Sequence, residues 1–225
     1  MRSDVNKKTE RLQKIMIVVV SWIFGNIAGI ILALACMLGI VRIEQCGRGL
    51  DKKKLKRMIA DSGKGVLMIS NHPSGWETVA LPALFWPDFL FSWRSMPVST
   101  PKASLYNAKW FLIKPVCISV IRDDPRAGVD FINAIASALK EKRMVVLFAE
   151  GGRTYHGEDL KWRRFKKIRR FKKGVEGILK RGNPLIIMSW VEHNTIRFGE
   201  PFVYSGESME CLEDKLLDLS EVDDG

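Results

Sequence analysis

Cysteine is sparse in this chain: Cys36, Cys46, Cys117 and Cys211 are the four in 225 residues, and none sits in a Cys-x-x-Cys pair. Their wide, irregular spacing argues against a zinc ribbon or a disulfide framework and suits a reducing compartment. Histidine is scarcer still, with three residues, His72, His156 and His193. Internal repeats and low-complexity linkers are missing, so the chain reads as one catalytic-sized domain. Acidic residues are in deficit, 25 against 36 basic ones, for a net charge of +11. Such a balance favours polyanionic partners: nucleic acid, an anionic membrane face or phosphorylated substrates.

Charge is wholly absent from Met16 to Val41, "MIVVVSWIFGNIAGIILALACMLGIV". As a helix this run reaches roughly 39 Å at about 1.5 Å per residue, against about 30 Å of bilayer hydrocarbon. It is too long for a cleaved leader, and basic residues follow it directly. Residues 1–45 therefore read as a membrane anchor and residues 46–225 as the globular domain. The richer basic flank, Arg42 to Arg57, puts that domain on the cytoplasmic face. Basic residues before the run also suit a re-entrant helix pair, with "GNIAG" (Gly25–Gly29) as its bend. The same glycines match the small-xxx-small packing motif of a single span.

Beyond the anchor, "GLDKKKLKRMIADSG" predicts a short basic helix. Short apolar runs rich in β-branched residues then predict strands at "GVLMIS", "DFLFSW", "CISVI", "MVVLFAE" and "PLIIMSW". Helical stretches lie between them: "WETVALPALFW", "ASLYNAKWFLI" and "RAGVDFINAIASALKEK". "TIRFGEPFVY" predicts a further strand pair and "ESMECLEDKLLDLS" a closing helix. Doubly buried strands separated by helices imply an α/β fold, with a mixed, mostly parallel central sheet flanked by helices and a membrane-embedded helical element in front.

Four stretches bear chemistry. In "SNHPSGWETVAL", His72 falls in a strand-to-helix turn and Glu77 in the first helical turn. The pair reads in two ways. Glu77 serves the helix N-terminus, or it holds the imidazole by Nδ1–H and leaves the other nitrogen to take a proton from a hydroxyl. "FAEGGRT" ends the best strand: Gly151 and Gly152 let amides approach an anion, Arg153 offers a planar fork, and Glu150 accepts a hydroxyl or orients Arg153. "KWRRFKKIRRFKKG" carries Trp162, Phe165, Ile168 and Phe171 at every third position among basic residues. That spacing suits an anionic bilayer surface, nucleic acid or a solvated basic segment; beside an anchor the bilayer is the better reading, and no nucleic-acid partner is expected. "CISVIRDD" sets Arg122 just beyond a strand.

In this order the pieces resemble the glycerolphosphate and lysophosphatidic acid acyltransferase superfamily. "NHPSGWE" is similar to that family's Asn-His, four residues, Asp motif, with Glu77 for the aspartate. "CISVIRDD" resembles its second motif, with Ile121 in place of an acid. "FAEGGRT" follows Phe-Pro-Glu-Gly-Thr-Arg-Ser, with Ala149 and Gly152 replacing proline and threonine. "FKKG" and "NPLIIMSW" match the elements that come next. The resemblance implies that His72 is the general base and Glu77 its orienting acid. It implies substrate contacts from Asn71, Ser74, Lys102, Arg122, Glu150, Gly151, Gly152 and Arg153, with no metal and no cofactor. The donor would be acyl-CoA or acyl-carrier protein, and the acceptor lysophosphatidic acid or a related lysophospholipid or glycerol phosphate. A phospholipid transacylase and a non-catalytic basic lipid-binding protein are the alternatives. His156 and His193 match no motif and read as structural or solvent-facing.

Overall fold

The computed structural model describes residues 2–45, 48–49, 52–92, 95–100, 117–118, 125–154, 159–163 and 166–221. The predicted helix "ASLYNAKWFLI" lies outside these residues, as do Lys102, Arg122, His156 and Phe165.

The doubly buried apolar runs make the centre of the sheet. Strand β3 (Val66–Ser70) lies between β5 (Met144–Leu147) and β8 (Leu185–Glu192), parallel to both. Successive side chains of a strand point to opposite faces, so each face of this sheet needs its own cover. Leu67, Ile69, Val145, Leu147, Ile186 and Met188 face one core. There they meet α4 (Pro125–Lys140), α5 (Gly174–Gly182) and α6 (Met209–Asp218). Val66, Met68, Val146, Leu185 and Ile187 face the other. That core is closed by α1 (Arg2–Met37), α2 (Lys52–Ser62) and α3 (Glu77–Ala83). A run apolar at every position is what two covered faces require.

The sheet extends from this centre in both directions. On one side β4 (Val98–Ser99) pairs parallel with β5. On the other, β9 (Thr195–Phe198) and β10 (Phe202–Val203) pair antiparallel with β8. Then β1 (Arg42–Gln45) joins β9 in parallel and β2 (Arg48–Gly49) closes the edge. The α/β sheet flanked by helices is the expected one. Its first strand lies within residues 1–45, so the end of the anchor segment is built into the domain.

Three expectations change. "GNIAG" makes no bend: α1 runs unbroken from Arg2 to Met37, and within it Val18–Met37 is long and apolar enough to cross a membrane. "DFLFSW" forms no strand; residues 84–91 turn instead. "KWRRFKKIRR" is a hairpin of β6 (Leu160–Arg163) and β7 (Lys166–Arg169). Its every-third-residue stripe does not lie on one face, because Ile168 and Phe171 enter the core while Trp162 stays exposed. Acids of α6 hold the hairpin in place. Lys161 Nζ lies 2.7 Å from Asp214, and Arg170 Nη1 donates to Glu213 at 2.8 Å.

Helix α1 docks on the domain through a stripe of small and polar residues. Gly25 packs under Met96, and Gly29 under Trp86. Trp86 Nε1 donates to Asn26 Oδ1 at 3.1 Å, and Trp22 Nε1 donates to the Phe89 carbonyl at 2.9 Å. Ile23, Ile27, Ile30, Ile31 and Leu34 remain exposed. A Cβ on Gly29 would meet the Trp86 Cβ and Cγ at 2.4 Å. Gly29→Val should therefore destabilise the detergent-solubilised protein by about 1–3 kcal/mol through overpacking. Ile31→Val, on the exposed face, should stay within about 0.5 kcal/mol. Thermal unfolding of both variants checks this; equal effects would contradict the docking.

Candidate active site

The carboxyl ends of the parallel strands β3, β5 and β8 open on one edge of the sheet, the position where open α/β sheets gather ligands. The chain leaving β3 is pinned to β8 first. Asn71 Nδ2 donates to the Val191 carbonyl at 2.8 Å, and Asn71 Oδ1 accepts the Val191 amide at 2.7 Å. Asn71 is fully buried, and its amide is consumed inside the protein.

His72 follows. Its amide donates to Thr154 Oγ1 at 2.9 Å and to Glu150 Oε1 at 3.2 Å, and its carbonyl accepts the Thr154 amide at 2.9 Å. The imidazole stacks on Phe148, ring centres 4.5 Å apart. Its Nδ1 lies 2.5 Å from Glu77 Oε1. The ring is thus fixed from two sides, while its side chain keeps 20 % exposure. Among the described residues Nε2 has no hydrogen-bond partner.

Glu77 faces the imidazole and also holds the turn that leads into α3, whose Trp76 side chain makes no cap. Glu77 Oε2 accepts the Gly75 amide at 2.8 Å and the Ser74 hydroxyl at 2.9 Å; Oε1 accepts the Ser74 amide at 3.2 Å. The same carboxylate faces His72, and no part of it reaches solvent. Burial pushes its pKa up. The hydrogen bonds from His72, Gly75, its own amide and Ser74 outweigh that and hold it down at about 2.

Glu150 is the second buried carboxylate. Oε1 accepts from Thr154 Oγ1 at 2.7 Å and from the His72 amide; Oε2 accepts the Arg169 amide at 2.8 Å. Burial pushes its pKa up, and these donors pull it part of the way back. It thereby ties together β3, β5 and the hairpin. Among the described residues it makes no ion pair with Arg153. Ser74 spends its hydroxyl on Glu77.

Gly151, at φ +68°, turns the chain after Glu150, and its amide donates to the Phe148 carbonyl at 3.0 Å. Gly152 follows, then Arg153, which is exposed. His193 sits exposed in the β8–β9 turn. Among the described residues no three His, Cys, Asp or Glu side chains gather as a metal site requires. Three contributors had no assigned role in the sequence: the Phe148 ring, Thr154 and the Arg169 amide. Phe148 and Thr154 were visible as members of "FAEGGRT", but their contacts cross between strands.

Residues 49–189 match the protein-family model described as Acyltransferase. No curated protein matches the chain. The match spans more than half of the sequence, and the chain belongs to this family.

The lowered pKa of Glu77 makes a signed prediction. A carboxyl held below its ordinary value on folding adds stability above that value, and this is lost as pH falls through the folded pKa. Glu77→Gln should therefore be less stable than the parent at neutral pH. The gap should close as pH falls from 4.5 toward 2. Urea unfolding at a series of pH values measures it; a gap independent of pH contradicts the assignment.

Proposed function

We propose that this acyltransferase-family chain moves a fatty acyl group from a thioester, acyl-CoA or acyl-carrier protein, to a hydroxyl of lysophosphatidic acid or a related glycerol phosphate. The observation that carries the reading is the 2.5 Å contact between His72 Nδ1 and the buried Glu77 carboxylate. It leaves Nε2 as the open end of a ring that cannot rotate freely. A base so oriented has its tautomer fixed, and its imidazolium is stabilised by the carboxylate.

His72 Nε2 takes the proton of the acceptor hydroxyl as that oxygen attacks the thioester carbonyl carbon. A tetrahedral oxyanion forms. Its collapse breaks the carbon–sulfur bond, and the imidazolium returns the proton to the departing thiolate. The products are an ester and a free thiol, with no covalent acyl-enzyme. Glu77 keeps its negative charge throughout. Asn71, Ser74 and Glu150 act as positioning residues, since their polar atoms are engaged within the chain. Arg153 is exposed on the glycine turn and serves the acceptor's anionic end, with Lys102 and Arg122 as further candidates on sequence grounds.

An apolar substrate suits the surroundings. A cleft between α1 and α3 is walled by Phe24, Ala28, Thr78, Val79, Pro82 and Met96, and Thr78 and Val79 directly follow Glu77. The cleft's apolar lining suits the start of an acyl chain, and through Thr78 and Val79 it borders the helix that carries Glu77. The exposed apolar face of α1 supports a membrane location, from which such a chain reaches the cleft without crossing water; the basic flank from Arg42 to Arg57 favours the cytoplasmic side for the domain.

The test is thiol release from acyl-CoA or acyl-carrier protein by membranes carrying the protein, with and without added lysophosphatidic acid. Release should depend on the acceptor. A folded His72→Ala protein should lose about a hundred- to ten-thousand-fold of the rate, the usual contribution of a general base. Acceptor-dependent release that survives in His72→Ala would overturn the mechanism. Offering a phospholipid as acyl donor in place of the thioester separates a transacylase.

A further inference from the structure

Around Gly151 and Gly152 the chain has set several cations against a turn with little negative charge. The one carboxylate of the turn, Glu150, is buried and directed inward. Arg153 is exposed beside it. The stem of Lys172 lies along Gly151, its Cγ 3.0 Å from where a Cβ would stand. The Arg169 guanidinium lies on Gly152, with Nη1 2.4 Å from the position of a Cβ there. Any side chain at 152 would occupy the space that this guanidinium fills. Among the described residues the amides of Gly152 and Arg153 have no partner within the chain.

Arg169 differs from Lys161, Lys166 and Arg170. Lys161 and Arg170 pair with acids of α6, and Lys166 pairs with Glu192. Arg169 has no ion-pair partner among the described residues, and its Nε is buried with no hydrogen bond at all. A buried donor left unpaired is unfavourable in a resting protein, and this one belongs to a guanidinium that lies against the glycine turn. Its backbone is fixed independently of its side chain, because the Arg169 amide donates to Glu150 Oε2 while the other oxygen of that carboxylate accepts the His72 amide. One carboxylate therefore separates the backbone of Arg169 from that of the base.

We infer that Arg169, whose guanidinium fills the space that Gly152 leaves, binds a phosphate monoester, the anionic end of the acceptor. This rests on the reading of His72 as the base that deprotonates that acceptor. A planar guanidinium presents parallel N–H donors that match phosphate oxygens. With the free amides of Gly152 and Arg153 it forms a cradle for a doubly charged group. Position 152 is then a determinant of acceptor recognition: glycine admits the arginine, and a larger residue expels it.

The experiment has a binding arm and a kinetic arm, on full-length protein in detergent. Calorimetry with glycerol 3-phosphate compares the parent, Arg169→Met, Gly152→Thr and the double variant. Gly152 lacks the positive φ of Gly151, so threonine displaces only the flexible end of Arg169. Each single variant should weaken binding by about tenfold or more, the loss expected of a charge-assisted hydrogen bond. The double variant should be no weaker than Arg169→Met, since both changes remove one contact. Thermal stability of Arg169→Met should not fall, because an unpaired buried Nε is removed. In turnover, the acceptor's KM should rise by a similar factor with the donor's KM unchanged. Unaltered glycerol 3-phosphate binding in Arg169→Met overturns the inference. So does a rise in the donor's KM alone, which would move Arg169 to the phosphates of the thioester carrier. If the parent acylates no phosphate acceptor yet binds glycerol 3-phosphate through Arg169, it is the proposed reaction that fails, and the site stands.

Discussion

The carboxylate of Glu77 is the constraint from which the rest of the site follows. It is buried, accepts from Ser74 and Gly75, and faces Nδ1 of His72. A buried charge is tolerated only when its lone pairs are met by donors. Here those donors belong to the turn that must exist for the carboxylate to reach the ring. Helix start, turn and imidazole are therefore one cooperative unit. The extra methylene of glutamate, relative to aspartate, is accommodated within this turn: the carboxylate reaches back over Ser74 and Gly75 to the ring.

The sheet supplies the rigid frame for this unit. Asn71 ties the exit of β3 to β8, and Glu150 ties it to β5 and the hairpin. His72 thus sits where three separate segments are tied together by hydrogen bonds. Catalytic groups held by cross-linked strand ends lose little orientation freedom during reaction. Helix α1 contributes differently. Its glycine and asparagine stripe grips the loop around Trp86 and Phe89, while its other face is apolar and uncovered. The apolar helix and the α/β domain are packed together, and β1 extends that union into the sheet.

What the sequence made legible follows from burial. β3, β5 and β8 could be read because two covered faces force apolar residues at every position, and α4 because one covered face imposes a helical period. His72, Glu77 and Glu150 were legible as members of motifs. The hairpin was not anticipated, because a three-residue aromatic spacing fits an amphipathic segment as well as it fits alternating strand faces interrupted by a turn. "DFLFSW" is apolar enough for a strand, yet it turns to receive Trp22 from α1. No local pattern encodes that long-range contact. The role of Glu150 as a tie between segments depends on contacts across 78 positions to His72 and 19 to Arg169. Arg169 itself stands in a run of basic residues, and its place against Gly152 and its unpaired Nε are long-range features that no local pattern encodes.

The protonation of the His72 ring tests the account most directly. The geometry requires the neutral imidazole to carry its proton on Nδ1, donated to Glu77, with Nε2 bare. Long-range proton–nitrogen NMR of protein labelled with nitrogen-15 histidine reads this, with His72→Gln assigning the signals. The account predicts an Nδ1-protonated ring whose proton is shifted strongly downfield, and loss of that signal in Glu77→Gln. A ring protonated on Nε2, unchanged when Glu77 is replaced, would contradict it.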